Sequence, residues 1–333
     1  MVQVKQMNSS DTFQPKRWLR NGHAQTLWRK FAPTPEVNRK RQRVELADGD
    51  FIDLDWCEPL SNEDSENGTI VLLIHGLCGC SQSSYIQSLQ YRLGLSGETS
   101  VAMNFRGCSG ETNRLAKAYH SGVTADLAEI VSVLQRQNPH SQFAAVGFSL
   151  GANVLLKWLG EIGGDSPLER AVAVSTPFNL MLCSKAMLEG MSKMYGRYFL
   201  RRLVADVENK KLAFLQSDNL EQLELLRSCG DLDNLTSLWD FDDRVTAPLH
   251  GFDDANHYYE QCSSLSYLAD INVTTLLLQS LDDPIIPPNA LPGDHHLSDA
   301  LVQDFFDRGG HVGFASASGR FWLEDRIANF ITR

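Results

Sequence analysis

Apolar and polar positions alternate in two neighbouring blocks, Arg43-Val44-Glu45-Leu46 and Phe51-Ile52-Asp53-Leu54-Asp55-Trp56, with Ala47-Asp48-Gly49-Asp50 between them. A period of two predicts strands with one buried face, and the Asp-Gly pair predicts the hairpin turn that joins them. Further on, alternation gives way to unbroken apolar runs: Thr69 to Ile74, Ser100 to Phe105, Phe143 to Val146, Ala171 to Ser175 and Thr274 to Leu278. Such runs are what a parallel sheet requires when both of its faces are covered. Ser84 to Leu95 and Val123 to Gln137 carry helical spacing, and Ala152 to Leu159 is apolar enough for a buried helix. Strand and helix alternate, so the expected fold class is α/β, with a doubly wound, mostly parallel sheet.

The stretch from Pro177 to Ile271 breaks that rhythm. It is far longer than one crossover needs and is rich in Met, Leu, Tyr and Phe at helical spacing. The expectation is a single domain over residues 1–333, with a helical cap inserted at about 178–270 over the carboxyl ends of the strands. An N-terminal extension, about 1–40, carries Trp18, Trp28 and several basic residues and is expected to pack on the domain; 61–68 reads as a polar loop.

Composition narrows the possibilities. The chain has 333 residues, 43% of them hydrophobic, enough for one large core. A net charge of -11 disfavours a nucleic-acid partner, which selects a basic face. It also argues against electrostatic docking on anionic lipid, while leaving an apolar lipid substrate open. Seven cysteines form an odd, scattered set without a CxxC pair, as expected for reduced thiols in a cytoplasmic protein. His75, Cys78 and Cys80 lack a second ligand pair at zinc spacing, so no metal is expected. The segment Met1 to Gln14 is polar, and no apolar run reaches the ~18 residues of a membrane span. Integral membrane association is therefore not expected, and oligomeric state is not readable.

The chemistry concentrates in Gly147-Phe148-Ser149-Leu150-Gly151, set between an apolar strand and an apolar helix. A serine at so tight a strand-to-helix turn, with glycine two places away on both sides, matches a nucleophile elbow. A serine hydroxyl needs a base, and the base needs an acid to hold its tautomer. In this fold class they follow in the order acid, then histidine. After the late strand comes Leu281-Asp282-Asp283-Pro284-Ile285-Ile286-Pro287, where Asp283 is the expected acid and Asp282 the alternative. Gly309-Gly310-His311-Val312-Gly313-Phe314 frames one histidine with glycines, so His311 is preferred over His295 and His296. The oxyanion needs two backbone N–H donors. Leu150 supplies one, and Leu77, in the loop His75-Gly76-Leu77, supplies the other, with His75 ordering that loop.

These pieces, with Asn21-Gly22-His23-Ala24-Gln25-Thr26, Asn104-Phe105-Arg106-Gly107-Cys108-Ser109-Gly110, Phe241-Asp242-Asp243 and His250-Gly251-Phe252, resemble the YheT-like branch of the α/β-hydrolase superfamily over nearly the whole chain. The resemblance implies an α/β-hydrolase fold and a serine hydrolase with Ser149, Asp283 and His311 as its triad. It implies a carboxylic ester as substrate, of a small-molecule or lipid-like, short- to medium-chain acyl type, and requires no metal or organic cofactor. Thioesterase or acyltransferase chemistry would use the same triad, and a ligand-binding protein on the same fold is the non-enzymatic alternative. An epoxide hydrolase or dehalogenase would want Asp at position 149. Arg106 and Asp126 are expected to form structural salt links, and Asp242, Asp243 and His250 to fix the cap to the core.

Overall fold

The hairpin forms where the alternation places it. Strands β1 (Lys40–Glu45) and β2 (Phe51–Cys57) pair antiparallel with Val44 opposite Ile52. Gly49 in the turn has φ 85°, a left-handed value that glycine adopts without a Cβ clash. The computed structural model describes residues 13–60, 68–319 and 321–332. Residues 1–12 of the expected N-terminal extension and 61–67 of the expected polar loop lie outside the described residues.

The remaining strands are β3 (Thr69–Ile74), β4 (Thr99–Asn104), β5 (Gln142–Phe148), β6 (Arg170–Val174), β7 (Thr274–Ser280) and β8 (Leu301–Phe306). Among the described residues they make one 8-stranded sheet in the order β1-β2-β4-β3-β5-β6-β7-β8. β2 meets β4 antiparallel, and every pair from β4 to β8 is parallel. β3 to β7 are buried on both faces, which accounts for their continuous apolar runs. The helices before and among them are α1 (Gly22–Phe31), α2 (Ser84–Leu95), α3 (Thr124–Gln137) and α4 (Leu150–Ile162). On one face of the sheet Leu127, Ile130 and Val131 of α3 and Val154, Leu155 and Leu159 of α4 pack against Leu72, Met103 and Ala145. On the other, Ile86, Leu89 and Leu93 of α2 join Leu323 and Ile327 of a C-terminal helix against Leu73 and Val146.

Between β6 and β7 the chain forms α5 (Leu180–Ala186), α6 (Lys193–Gln216), α7 (Leu220–Arg227), α8 (Leu238–Phe241), α9 (Ala247–His250) and α10 (Ala255–Cys262). α8 runs into α9 through a π-helical turn, Asp242–Thr246. The last part of this stretch, the 3-10 segment Ser264–Asp270, packs on α4, where a Cβ on Gly160 would lie 2.3 Å from the Tyr267 carbonyl oxygen. The C-terminal helix is α11 (Trp322–Ile331). No helix among the described residues is long and apolar enough to cross a membrane.

Candidate active site

β5 ends at Phe148 and α4 begins at Leu150, which leaves Ser149 alone in the turn with φ 53° and ψ -120°. A side chain pays for this backbone with strain, and surrounding bonds must hold it. Here Ser149 N–H donates to the Val174 carbonyl at 2.8 Å, and the Ser149 carbonyl accepts from Ala152 and Asn153 at 3.0 and 3.1 Å. The flanking glycines answer two separate demands. A Cβ on Gly147 would lie 2.5 Å from the Ala152 Cα, and one on Gly151 would lie 2.5 Å from the carbonyl oxygens of Ile74 and His75. The first lets the helix turn back over the strand; the second lets the loop after β3 approach the serine.

The structure brings the three expected side chains into contact. Ser149 Oγ lies 2.9 Å from His311 Nε2, and His311 Nδ1 lies 2.8 Å from Asp283 Oδ2. With Nδ1–H donating to the carboxylate, Nε2 is left as the acceptor that faces the serine hydroxyl. Asp283 has no solvent-exposed side-chain surface, and its second oxygen accepts the N–H groups of Ile285 and Ile286 at 2.8 and 3.1 Å. Asp282 turns the other way, accepting the N–H groups of Gly309 and Gly310, both at 2.9 Å. The rings of His295 and His296 lie tilted against each other in a 3-10 turn, centroids 3.8 Å apart, and His296 Nδ1 accepts the Gly293 N–H.

The histidine loop is docked on α1, a relationship between residues almost 300 positions apart. His311 N–H donates to Thr26 Oγ1 at 2.8 Å. The buried Gln25 carboxamide bonds the Leu19 carbonyl at 2.7 Å and accepts the Ala315 N–H at 2.6 Å. The glycines permit backbone contact: a Cβ on Gly310 would lie 2.3 Å from the Gly22 carbonyl oxygen, and one on Gly22 would lie 1.8 Å from the Asp282 oxygen. Asn21 caps α1 by accepting the His23 N–H at 2.9 Å. The sequence by itself assigns no such positioning roles; Asn21 to Thr26 stand out in it only as a motif.

In the loop after β3, Gly76 N–H donates to the Tyr85 hydroxyl at 3.0 Å and Cys78 N–H to the Tyr119 hydroxyl at 2.8 Å. Leu77 lies between them. Among the described residues the N–H groups of Leu77 and Leu150 have no acceptor, and both residues line the same cavity as Ser149. His75 is fully buried; its Nδ1–H donates to the Gly76 carbonyl at 2.8 Å and its Nε2 accepts the Phe105 N–H at 3.1 Å. Burial pushes this imidazole down to about 4, so it stays neutral, with both nitrogens engaged by backbone.

The cavity above Ser149 measures about 330 Å³. Leu180, Met187, Phe199, Phe241 and Val245, all from the stretch between β6 and β7, form much of its wall. Asp242 also faces it, held by the hydroxyls of Tyr259 and Thr246, each at 2.7 Å, and burial pushes its carboxyl up to about 6. Asp243 accepts the Ala255 N–H at 3.0 Å. Both carboxylates therefore tie helices of this stretch to one another, in place of the expected link to the core; only His250 reaches outward, its ring 4.5 Å from that of His120. Arg106 makes a bidentate pair with Asp126, both bonds 2.7 Å, and a third contact with Asp48 at 2.6 Å, which ties the β1–β2 turn to α3.

The sheet order, the serine at the end of β5 and the carboxylate and imidazole on the loops after β7 and β8 define one class of protein: the chain belongs to the α/β-hydrolase fold family. Residues 69–316 match that family's profile, described as alpha/beta hydrolase fold. Within it the chain is YheT-like. It is 38% identical over 335 residues to the candidate esterase YheT of Escherichia coli, an alignment spanning 99% of this chain and 95% of that protein. It is 28% identical over 313 residues to the phospholipase ABHD3 of Homo sapiens, spanning 92% of this chain and 74% of that one. Among solved structures, the esterase Pf2001 of Pyrococcus furiosus shares the fold at a TM-score of 0.56 and 15% identity, over 96% of this chain and 99% of that one.

Proposed function

We propose that this hydrolase is a serine esterase that cleaves carboxylic esters through an acyl-enzyme intermediate. The observation that carries the reading is the unbroken hydrogen-bonded series Ser149–His311–Asp283. In this mechanism His311 takes the Ser149 proton as the oxygen attacks the ester carbonyl, and Asp283 stabilises the imidazolium that forms. The N–H groups of Leu77 and Leu150 receive the developing oxyanion; each such donor typically contributes on the order of 100-fold in rate. His311 then protonates the leaving alcohol and activates the water that releases the acid. No cofactor enters any step.

The substrate is proposed to be a small-molecule or lipid-like ester with a short- to medium-length acyl chain. In its support, the cavity of about 330 Å³ is walled by Leu, Met, Phe and Val side chains. That volume is at the lower end of the range for ligand pockets, about 300–1,000 Å³. On this reading the stretch at about 178–270 acts as a cap that sets chain length. A fluorophosphonate probe should label the native chain and fail to label Ser149→Ala; persistent labelling of that variant would move the nucleophile elsewhere. A panel of p-nitrophenyl esters of rising chain length should show one optimum, and a flat profile would remove the cap from substrate choice.

A further inference from the structure

The net charge of -11 disfavours an anionic partner only if charge is spread evenly, and here it is not. Between Phe13 and Pro35 the chain carries Lys16, Arg17, Arg20 and Lys30 and no acidic residue, its remaining arginine, Arg29, being paired with Glu324. α6 opens with Lys193, Arg197, Arg201 and Arg202 before its first acid, Asp206. The two segments meet in space: the Lys30 ammonium stands 4.9 Å over the Tyr198 ring, and His23 stacks on Tyr195 with centroids 5.7 Å apart.

The same face exposes large apolar side chains. Phe31 is 75% exposed, Met191 59% and Met194 54%. On α6 the positions Met194, Arg197, Tyr198 and Arg201 recur at steps of three and four, which puts them on one stripe; Leu27, Lys30 and Phe31 do the same on α1. Met194, Arg197, Tyr198, Arg201 and Arg202 line a shallow open pocket. Among the described residues Arg197 and Arg201 have no ion-pair partner. Aromatic and thioether groups interleaved with unpaired basic residues form the composition that settles into the headgroup region of a bilayer. The elements that carry the patch are also tied to the loops of the candidate site, since Ser192 at the foot of α6 bonds the Pro284 carbonyl beside Asp283, and Thr26 of α1 holds the His311 backbone.

We propose that the α1–α6 face docks on an anionic phospholipid surface. The sign of its charge selects that occupant: it is opposite to the chain's net charge and opposite to the lipid's. A second copy related by a two-fold axis would bring the basic stripe against itself. Docking there would hold the loops that carry His311 and Asp283 against the surface from which an acyl lipid is drawn. Each basic residue near such a surface adds about fivefold to partitioning.

The test is co-sedimentation of the full chain with vesicles of phosphatidylcholine mixed with phosphatidylglycerol, and with vesicles of phosphatidylcholine alone. The chain should partition to the mixed vesicles, weakly to the neutral ones, and be released as salt rises. Arg197→Glu combined with Arg201→Glu should lower partitioning at least ~10-fold while leaving the thermal midpoint within experimental scatter. Phe31→Ser should also lower it. Equal binding to both vesicle types, no binding, or an unchanged double variant would overturn the proposal. So would a dimer in sedimentation equilibrium that the same variants dissociate, because the face would then belong to a second copy. Partitioning is read without turnover, so this outcome stands apart from that of the esterase reading.

Discussion

Asp282 and Asp283 are adjacent in the chain and hold opposite parts of the same histidine loop. Asp283 receives the His311 ring at 2.8 Å, while Asp282 receives the backbone of Gly309 and Gly310 at 2.9 Å. One carboxylate meets the imidazole; the other fixes the loop that delivers it. Asp283→Asn should therefore lower kcat by a factor on the order of 10⁴, because the amide favours the wrong imidazole tautomer. Asp282→Asn, which loses charge-assisted bonds to two backbone donors, should cost about 1–3 kcal/mol of stability and a smaller factor in kcat. Steady-state kinetics with urea unfolding of both variants separates the roles. Equal kcat losses would erase the distinction.

The contact of α1 with that loop makes Gly22 a residue on which the proposed activity should depend without touching substrate. Its substituted Cβ would stand 1.8 Å from the Asp282 carbonyl oxygen, so Gly22→Ala must push α1 or the aspartate loop aside. The expected result is a fall in kcat of at least ~10-fold with KM changed far less, since His311 is displaced while the cavity wall is left in place. A variant with native kcat would show that the loop keeps its position without α1.

How far the chain discloses its fold depends on how local the evidence is. β3 to β7 are legible because burial on both faces writes itself as unbroken apolar runs. β8 is not: it is an edge strand whose Val302 is 41% exposed, and Gln303 and Asp304 interrupt its apolar residues. α11 carries a readable spacing in Leu323, Ile327 and Ile331, yet it follows an irregular loop and no strand announces it. Ser149, Asp283 and His311 are legible through glycine, proline and strand-end context. The service of Gly22, Gln25 and Thr26 to His311 is not, since a hydrogen bond across almost the whole chain leaves no periodic trace. The uneven spread of charge is likewise hidden by a net figure.

His75 gives stability a pH dependence of known sign. Burial lowers its folded value from 6.5 to about 4. As the pH falls below 6.5 the unfolded chain takes up this proton and the folded chain does not. The stability conferred by the neutral ring is therefore complete above pH 6.5 and is lost on the way down to about 4, a swing of about 3 kcal/mol. His75→Gln should show a smaller loss between pH 7 and pH 4.5 than the native chain in urea unfolding. It should also lower kcat, because the ring ties Gly76 to Phe105 beside Leu77, the proposed oxyanion donor. Parallel pH profiles would mean that His75 titrates normally.

Asp242 acts in the opposite direction. Burial raises its carboxyl from 3.8 to about 6 despite two hydroxyl donors, so the folded chain binds this proton more tightly than the unfolded one. The penalty for ionising it is absent below pH 3.8, grows as the pH rises to about 6, and is complete above that. Asp242→Asn keeps an acceptor for Tyr259 or Thr246 and removes the charge. Relative to the native chain it should gain stability between pH 4 and pH 7. Because Asp242 faces the cavity, the same change should matter to an apolar acyl group, which is placed beside a carboxylate at neutral pH and beside a neutral carboxyl in mild acid. The ratio of native to variant KM for an apolar ester should then rise as the pH passes through 6. Taking the ratio cancels any pH dependence that both chains share. A ratio that stays level from pH 5 to pH 8, with stability curves that never diverge, would show that this carboxylate ionises without cost to either folding or binding.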